Sequence, residues 1–508
     1  MLKAIDNFLN KITMYRLVLY FLTALVIIAA VLGAFGLLAI DPLMLLASLG
    51  LSLLVCDLAN ALFAKVFNAQ TNVESLYITA FILALIVKPP TSFADAHYLI
   101  FIAWAALWAM ASKYIFAIGK KHIFNPAAFA VALTALTIGQ SATWWVGTAW
   151  MLPFVLVGGL LVVRKLRRFD LVLSFVAASL LFTVVAHASS LSEIPGIIEH
   201  ALVTSPLLFF AFVMLTEPLT TPPTKDLRSV YGVFTAVLFD PMVHIGSVYS
   251  TPELALLAGN VFSYIVSPKQ KLLLTLKEKR NVAENTFDFG FSSDKKLPFR
   301  AGQYLELTLA HEKPDTRGNR RYFTIASAPT DEDIYFGIKF YPEPSTFKQK
   351  LTSMAVGDTL MAGQLAGDFT MPDDTKKKLC FIAGGIGVTP FRSMIGYLLA
   401  KQEKRGITMF YSANTEKDIA YKDVFDKAHN ELGINIIYAL AGKDVSKSWQ
   451  GERGFVSADM MKKYMPDWRE RTYYVSGPPS MVDALKKTLS QMGIPRSQIK
   501  TDFFPGYA

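Results

Sequence analysis

The residues of this 508-residue chain whose types and spacing can do chemistry are gathered after position 320. Ala383-Gly384-Gly385-Ile386-Gly387-Val388-Thr389-Pro390-Phe391 reads as a tight turn closing a strand and opening a helix. Gly384, Gly385 and Gly387 permit close backbone approach, Thr389 can cap the helix, and Pro390 suits its first turn. Free N–H groups at such a helix start can hold a pyrophosphate. Ser476-Gly477-Pro478-Pro479-Ser480-Met481 again follows a strand and precedes a helix. Upstream, Arg320-Arg321-Tyr322-Phe323-Thr324 reads as one strand, in which Arg321 and Phe323 share a face. An arginine there can take a phosphate while an aromatic ring lies on a planar one. Taken singly, each is only a turn or a half-buried strand. Their order along the chain is what points to a pyrophosphate-bearing nucleotide and a planar ring.

Two kinds of element must position these groups. From about 272 the segments LLLTLKEKR, FDFGFSS, YLELTLA, RYFTIAS, IYFGIKF and DTLMAGQLAGDF predict six strands, hence a small antiparallel β-barrel. After 377, strands LCFIAG, TMFYSA, INIIYAL and TYYVSG alternate with helices PFRSMIGYLLAK, YKDVFDKAH and MVDALKKTL. That rhythm predicts an α/β doubly wound parallel sheet, which binds ligands beyond the carboxyl ends of its strands.

Composition divides the chain further. Residues 1–268 hold 14 Lys/Arg and 12 Asp/Glu, and 269–508 hold 36 and 28. An apolar share of 53% excludes disorder. Two cysteines, Cys56 and Cys380, exclude a disulfide scaffold, and with it an all-cysteine zinc site or iron–sulfur cluster. No metal site is expected. The +10 charge is no nucleic-acid signal, because the basic residues of the first half sit beside apolar runs.

Ten apolar segments, about 15–38, 43–64, 75–87, 97–112, 124–138, 144–163, 171–187, 201–215, 229–245 and 252–266, predict a polytopic α-helical membrane bundle of about ten spans. No cleavage site follows the first, so it does not read as a secretory signal. With the N-terminus inside, alternate loops collect the lysines and arginines and the outer loops hold only Lys88. The positive-inside rule then places both termini, and the soluble half, in the cytoplasm of a bacterial-type membrane. Glu217 and His244 read as segment-end residues, while Asp57, well inside its run, and Asp240 are candidates for an internal ion path. His187 and His200 lack the second pair that a bis-histidine haem relay needs.

Residues 269–508 resemble the ferredoxin–NADP reductase superfamily. The flavin motif R-x-[YF]-[ST] reads Arg321, Phe323, Thr324, with Tyr322 between. The resemblance implies FAD, with Arg321 on its pyrophosphate, Phe323 on the isoalloxazine and Thr324 near N5. It also implies cofactor contacts from Lys339, Thr346 and Ser412. The nicotinamide loop reads Gly384, Gly385, Gly387, Thr389, Pro390. The C-G-P signature reads Ser476-Gly477-Pro478, with serine for the cysteine beside the hydride-transfer site. In the tail DFFPGYA, Phe504 or Tyr507 is expected to cover the flavin. Thr324, Ser476 and Tyr507 are thus the expected catalytic set. In Asn414-Thr415-Glu416-Lys417, Lys417 suits a 2′-phosphate and Glu416 opposes one, with NADH favoured over NADPH.

KHIFNPAAF (Lys121–Phe129) and AFVMLTEPLTTPPT (Ala211–Thr224) resemble segments of one family of flavin-carrying membrane proteins. Its members serve the Rnf electron-transport complex and the sodium-translocating NADH:quinone oxidoreductase. M-x-T-D-P reads Met214-Leu215-Thr216-Glu217-Pro218. In that family a threonine carries FMN through a phosphoester. Gln140-Ser141-Ala142-Thr143 is similar to that motif, but Trp144-Trp145 follow and the longer outer insert is missing. The same residues suit an interfacial anchor. Either Thr143 carries FMN, or a second flavin, FMN or riboflavin, sits non-covalently in the bundle, or there is none.

The expectation is a multidomain chain: a ten-span membrane domain (1–268), an FAD-binding β-barrel (269–375) and an NAD(P)-binding α/β domain (376–508). It would pass electrons from NAD(P)H through FAD to a quinone or an extracytoplasmic protein, with membrane lipid as its surroundings. The alternatives are a redox-linked ion or small-solute transporter, and an anchored reductase serving a soluble partner.

Overall fold

The computed structural model describes residues 5–6, 8–9, 12–67, 73–118, 121–267, 271–311, 315, 318–442 and 445–503. Contacts divide the chain into two units, Met1–Gln270 and Lys271–Ala508.

The first unit is helical: α1 Met14–Ala34, α2 Pro42–Val66, α3 Val73–Ile86, α4 Ala96–Ile115, α5 Pro126–Ile138, α6 Leu152–Leu166, α7 Phe169–His187, α8 Ile194–Val203, α9 Leu207–Phe209, α10 Lys225–Phe239 and α11 Pro252–Val266. Side chains close several N-termini: Asp41 accepts from Leu43 and Met44, Asp95 from Tyr98, and Asn125 from Ala128. Gly139, at φ 66°, ends α5. Each of the ten apolar segments contains helix. Among the described residues only α1, α2, α4 and α7 are long and apolar enough to cross a membrane, and a fifth candidate is broken by a 55° bend between residues 191–203 and 207–214. The expectation of ten spans counted apolar runs, and several of these fold into helices of 10–17 residues or break, as at residues 204–206. Leu54, Leu58 and Leu62 of α2 lie exposed on one face, as do Leu173 and Leu181 of α7. Apolar stripes turned outward suit a lipid surround and not water.

In the second unit, β1 Leu272–Ala283, β2 Thr286–Ser293, β3 Tyr304–Thr308, β4 Arg320–Thr324, β5 Ile334–Lys339 and β6 Thr359–Ala366 form an antiparallel sheet ordered β4-β3-β6-β1-β2-β5. The sheet curls until its edges meet. Just beyond β4, the Ala326 N–H donates to the Tyr335 carbonyl on β5 at 2.8 Å. Leu274, Phe291, Leu305 and Phe336 fill the interior, and helix α12 (Thr346–Ser353) adds Phe347 and Leu351.

The parallel sheet follows: β7 Leu379–Gly384, α13 Thr389–Lys401, β8 Ile407–Ala413, α14 Lys422–Leu432, β9 Asn435–Leu440, β10 Glu452–Arg453, α15 Ala458–Tyr464, β11 Thr472–Gly477, α16 Pro479–Gln491 and β12 Ile499–Phe503. Its order is β10-β9-β8-β7-β11-β12, all parallel. Strand order reverses between β7 and β11, so the crevice that binds ligands in such sheets lies at their carboxyl ends.

Candidate functional site

That crevice is built from backbone. Register sets Gly384 beside Ser412 of β8 and Ala383 beside Ser476 of β11, so three adjacent strand ends carry the expected residues in a row. Gly385 takes φ 52° with open space where a Cβ would point, and Gly387 packs its Cα side against Gly477. A Cβ on Gly387 would fall 2.5 Å from the Gly477 Cα and 2.6 Å from its nitrogen. The two turns therefore touch only because both lack side chains there. The Ser476 hydroxyl is buried with no hydrogen-bond partner among the described residues. Thr389 does not cap α13 as expected. Its Oγ1 donates to the Ile386 carbonyl at 3.2 Å, because a 3₁₀ turn over Gly385–Val388 precedes the helix and leaves Val388 at the cap. Pro390 lies in the first turn.

Residues 381–487 match the oxidoreductase NAD-binding domain family. The chain carries an oxidoreductase NAD-binding domain. Residues 146–269 match the NQR2, RnfD, RnfE family. NADH-cytochrome b5 reductase 1 of Aspergillus terreus is 28% identical over 247 residues, covering 46% of this chain and 82% of that protein. The xylene/toluene monooxygenase electron transfer component XylA of Pseudomonas putida is 24% identical over 254 residues, covering 50% and 70%. The crystal structure of the Amycolatopsis cytochrome P450 reductase GcoB aligns with a TM-score of 0.42 at 22% identity, covering 47% of this chain and 71% of that one. The protein is an NAD(P)H-dependent flavin oxidoreductase whose residues 146–269 match the NQR2, RnfD, RnfE family.

On the curled sheet beside this oxidoreductase NAD-binding domain, Arg321 and Phe323 lie on the inner side of β4 and Tyr322 on the outer. Phe323 is half-buried against Phe336 and Phe347, and the Arg321 guanidinium lies 5.3 Å from the Phe347 ring centre. Tyr322 packs edge-on against Tyr304 and donates to Gln364 at 3.3 Å. Thr324 is buried at the end of β4. Thr346, at the N-terminus of α12, comes close to Arg321 through Asp315, which no motif marks. The Asp315 carboxylate lies 3.5 Å from Arg321 Nη2 and accepts from the Thr346 N–H at 3.1 Å. The Asp315 N–H and His311 Nε2 both reach the Thr346 hydroxyl at 3.0 Å. A carboxylate held by a guanidinium and a helix N-terminus marks an anion seat, and these residues fit an FAD pyrophosphate.

Lys339 pairs instead with Asp418 at 2.7 Å. Burial opposes ionisation of Asp418, but Lys339 and Thr415 outweigh it and hold the carboxyl below its ordinary range. Glu416, expected to oppose a 2′-phosphate, lines a groove of about 550 Å³ beyond β9 with Trp449 and Tyr464. That groove is two strands away from β7. Phe504 and Tyr507 lie outside the described residues.

The membrane-type unit holds its polar groups differently. Glu217, just past the end of the π-turn over Phe210–Met214, accepts from Asn125 at 2.9 Å and Thr220 at 3.2 Å and lies 3.3 Å from His122 Nε2. This brings KHIFNPAAF and TEPLTTPP together. Asp240 is buried and pairs with His187 and Thr183, both at 3.1 Å. His187 is thus a hydrogen-bond partner of Asp240, and His244 sits in an exposed two-strand ribbon with Nδ1 on the Gly246 carbonyl. Asp57 lies exposed on α2. Thr143 donates to the Ile86 carbonyl at 3.2 Å and accepts from the Lys88 N–H at 3.0 Å. Beside it Trp144, at φ 50°, donates its indole N–H to the buried Glu253 at 3.1 Å. No group of three or more His, Cys, Asp or Glu positioned for a metal occurs among the described residues.

Proposed function

We propose that the protein is a membrane-bound NAD(P)H dehydrogenase that passes electrons from cytoplasmic NAD(P)H through FAD into or across its membrane domain, to a quinone or an extracytoplasmic redox partner. The observation that carries the reading is the pair of abutting glycine turns at the strand-order reversal, with the unbonded Ser476 hydroxyl between their strands. When bound, FAD supplies the acceptor for a hydride, two electrons with one proton, from C4 of the dihydronicotinamide, and later releases the electrons singly. Gly385 and Gly387 let the backbone close on a pyrophosphate. The Ser476 hydroxyl, without a partner among the described residues, would serve as a hydrogen-bond donor to the reacting ring. Arg321 and the N-terminus of α12 hold the flavin phosphates, Phe323 and Thr324 border its ring, and Tyr507 or Phe504 shields it until nicotinamide arrives. Glu416 favours NADH by repelling a 2′-phosphate. The lobes divide near 375, with 1–268 as the membrane domain and both termini in the cytoplasm.

Flavin content per chain tests the reading. One acid-releasable FAD that NADH bleaches anaerobically supports the reductase, and a second flavin supports transfer across the bilayer. If fluorescence stays in the acid-precipitated band and Thr143→Val removes it, Thr143 carries FMN. An esterified Thr143 has no hydrogen left for Ile86, so the α3 end would rearrange. Protein that holds FAD but whose flavin neither nucleotide reduces overturns the reading.

A further inference from the structure

Tyr421 and Asp288 are buried titratable groups that the steps above do not use. Tyr421 stands at φ 59°, a left-handed conformation that a tyrosine adopts only when its surroundings hold it. Its hydroxyl donates to Asp288 Oδ1 at 2.5 Å. Burial lifts both groups, Tyr421 far above its ordinary range, so the phenol stays a donor. Asp288 is on β2, opposite Gly337 of β5. A Cβ on Gly337 would collide with the Tyr421 hydroxyl and fall 2.8 Å from the Thr389 methyl. The hydroxyl therefore lies over the bare backbone of the flavin sheet, next to the residue that opens α13 behind the glycine turn. Partly exposed contacts surround it. Arg392 donates to the Ala326 carbonyl at 2.8 Å, Lys339 pairs with Asp418, and the Glu284 N–H donates to the Lys417 carbonyl at 2.9 Å.

We propose that Tyr421 and Asp288 are a positioning pair that fixes the nicotinamide turn at its distance from the flavin-binding sheet. The inference rests on the hydride transfer argued above: a hydride leaves C4 of the dihydronicotinamide with its electron pair, giving NAD(P)+, and reaches flavin N5. Transfer over so short a gap tolerates little misplacement. A strained backbone and a bare Gly337 have no use if the lobes need only touch.

The test uses the full-length, FAD-loaded protein. Tyr421→Phe is expected to keep its FAD and its half-saturating NADH concentration. Single-turnover flavin reduction at saturating NADH falls roughly tenfold or more, with a larger isotope effect from NADH deuterated at C4. Amide exchange speeds up over residues 286–293, 334–339 and 418–425. Asp288→Asn, whose amide oxygen still accepts, is expected to stay within about threefold of the parent. A Tyr421→Phe protein with parental reduction rate and parental exchange overturns the proposal, as does an Asp288→Asn protein as slow as Tyr421→Phe. If the parent's flavin is reduced by neither nucleotide, the reductase reading fails, and unchanged exchange in Tyr421→Phe then overturns the pair on its own.

Discussion

The two glycine turns of the reductase unit and the Thr143–Trp145 corner of the membrane-type unit are both places where a cofactor is expected, and they are built on opposite terms. At the turns the contact is bare backbone: Gly387 meets Gly477, and among the described residues the Ser476 hydroxyl has no hydrogen-bond partner. At the corner every polar side chain is engaged. Thr143 bridges Ile86 and Lys88, Trp144 holds Glu253, and Trp145 donates to the Ala84 and Val87 carbonyls at 3.1 and 3.2 Å. The first arrangement leaves a hydroxyl unspent for the ligand proposed above. The second is closed by its own hydrogen bonds, as an apolar surround demands, since an unpaired donor there is expensive.

Breaking that contrast at its most sensitive point means Gly387→Ala. The added methyl has backbone on its far side and no flexible neighbour to yield, so the turns must part. NADH-driven flavin reduction is expected to fall about a hundredfold or more while bound FAD is retained, read by anaerobic stopped flow. Arg321→Ala comes next. Loss of a charge-assisted contact of about 2–3 kcal/mol weakens FAD binding roughly 30- to 150-fold, measured by flavin fluorescence on the deflavinated protein. Trp144→Phe sharpens the other side. It leaves the buried Glu253 without its indole partner and is expected to cost about 1–3 kcal/mol, read as a lower Tm in detergent with reductase activity intact.

Asp467→Asn gives the smallest effect and lies away from both places. Burial works against its charge, yet Arg471 at 2.7 Å and Lys378 at 2.9 Å hold the carboxyl at about 2. A depressed carboxyl stabilises the fold above its unfolded value near 4, and that gain disappears as pH falls from about 4 to 2. The variant should lose about 1–2 kcal/mol at pH 7 and match the parent near pH 2, by denaturant unfolding across pH.

Legibility followed the same division. Gly384, Gly385, Gly387, Ser476 and Gly477 are contiguous with the strands that carry them, so a local pattern announced both turn and crevice. The alternation after 272 likewise announced the antiparallel strands. Apolar runs announced helices but not their lengths, because a bend at residues 204–206 or a capped start at Asn125 is local chemistry inside a uniformly apolar stretch. Thr389 was misread as a cap because the 3₁₀ turn ahead of it shifts the helix start by one residue.

Three other relations come from tertiary structure alone. His122 and Glu217 are 95 residues apart, Trp144 and Glu253 109, and Asp288 and Tyr421 133. No pattern of neighbours along the chain encodes such pairs. Each exists because burial obliges a polar group to find a partner, and which partners come within reach depends on how distant elements pack. By itself the sequence determined the chemistry on offer: a strand–turn–helix pyrophosphate seat, an aromatic–arginine strand and an apolar helical half, all set by local backbone and hydropathy. Tertiary structure decided which of those groups stay open to a ligand and which are tied shut.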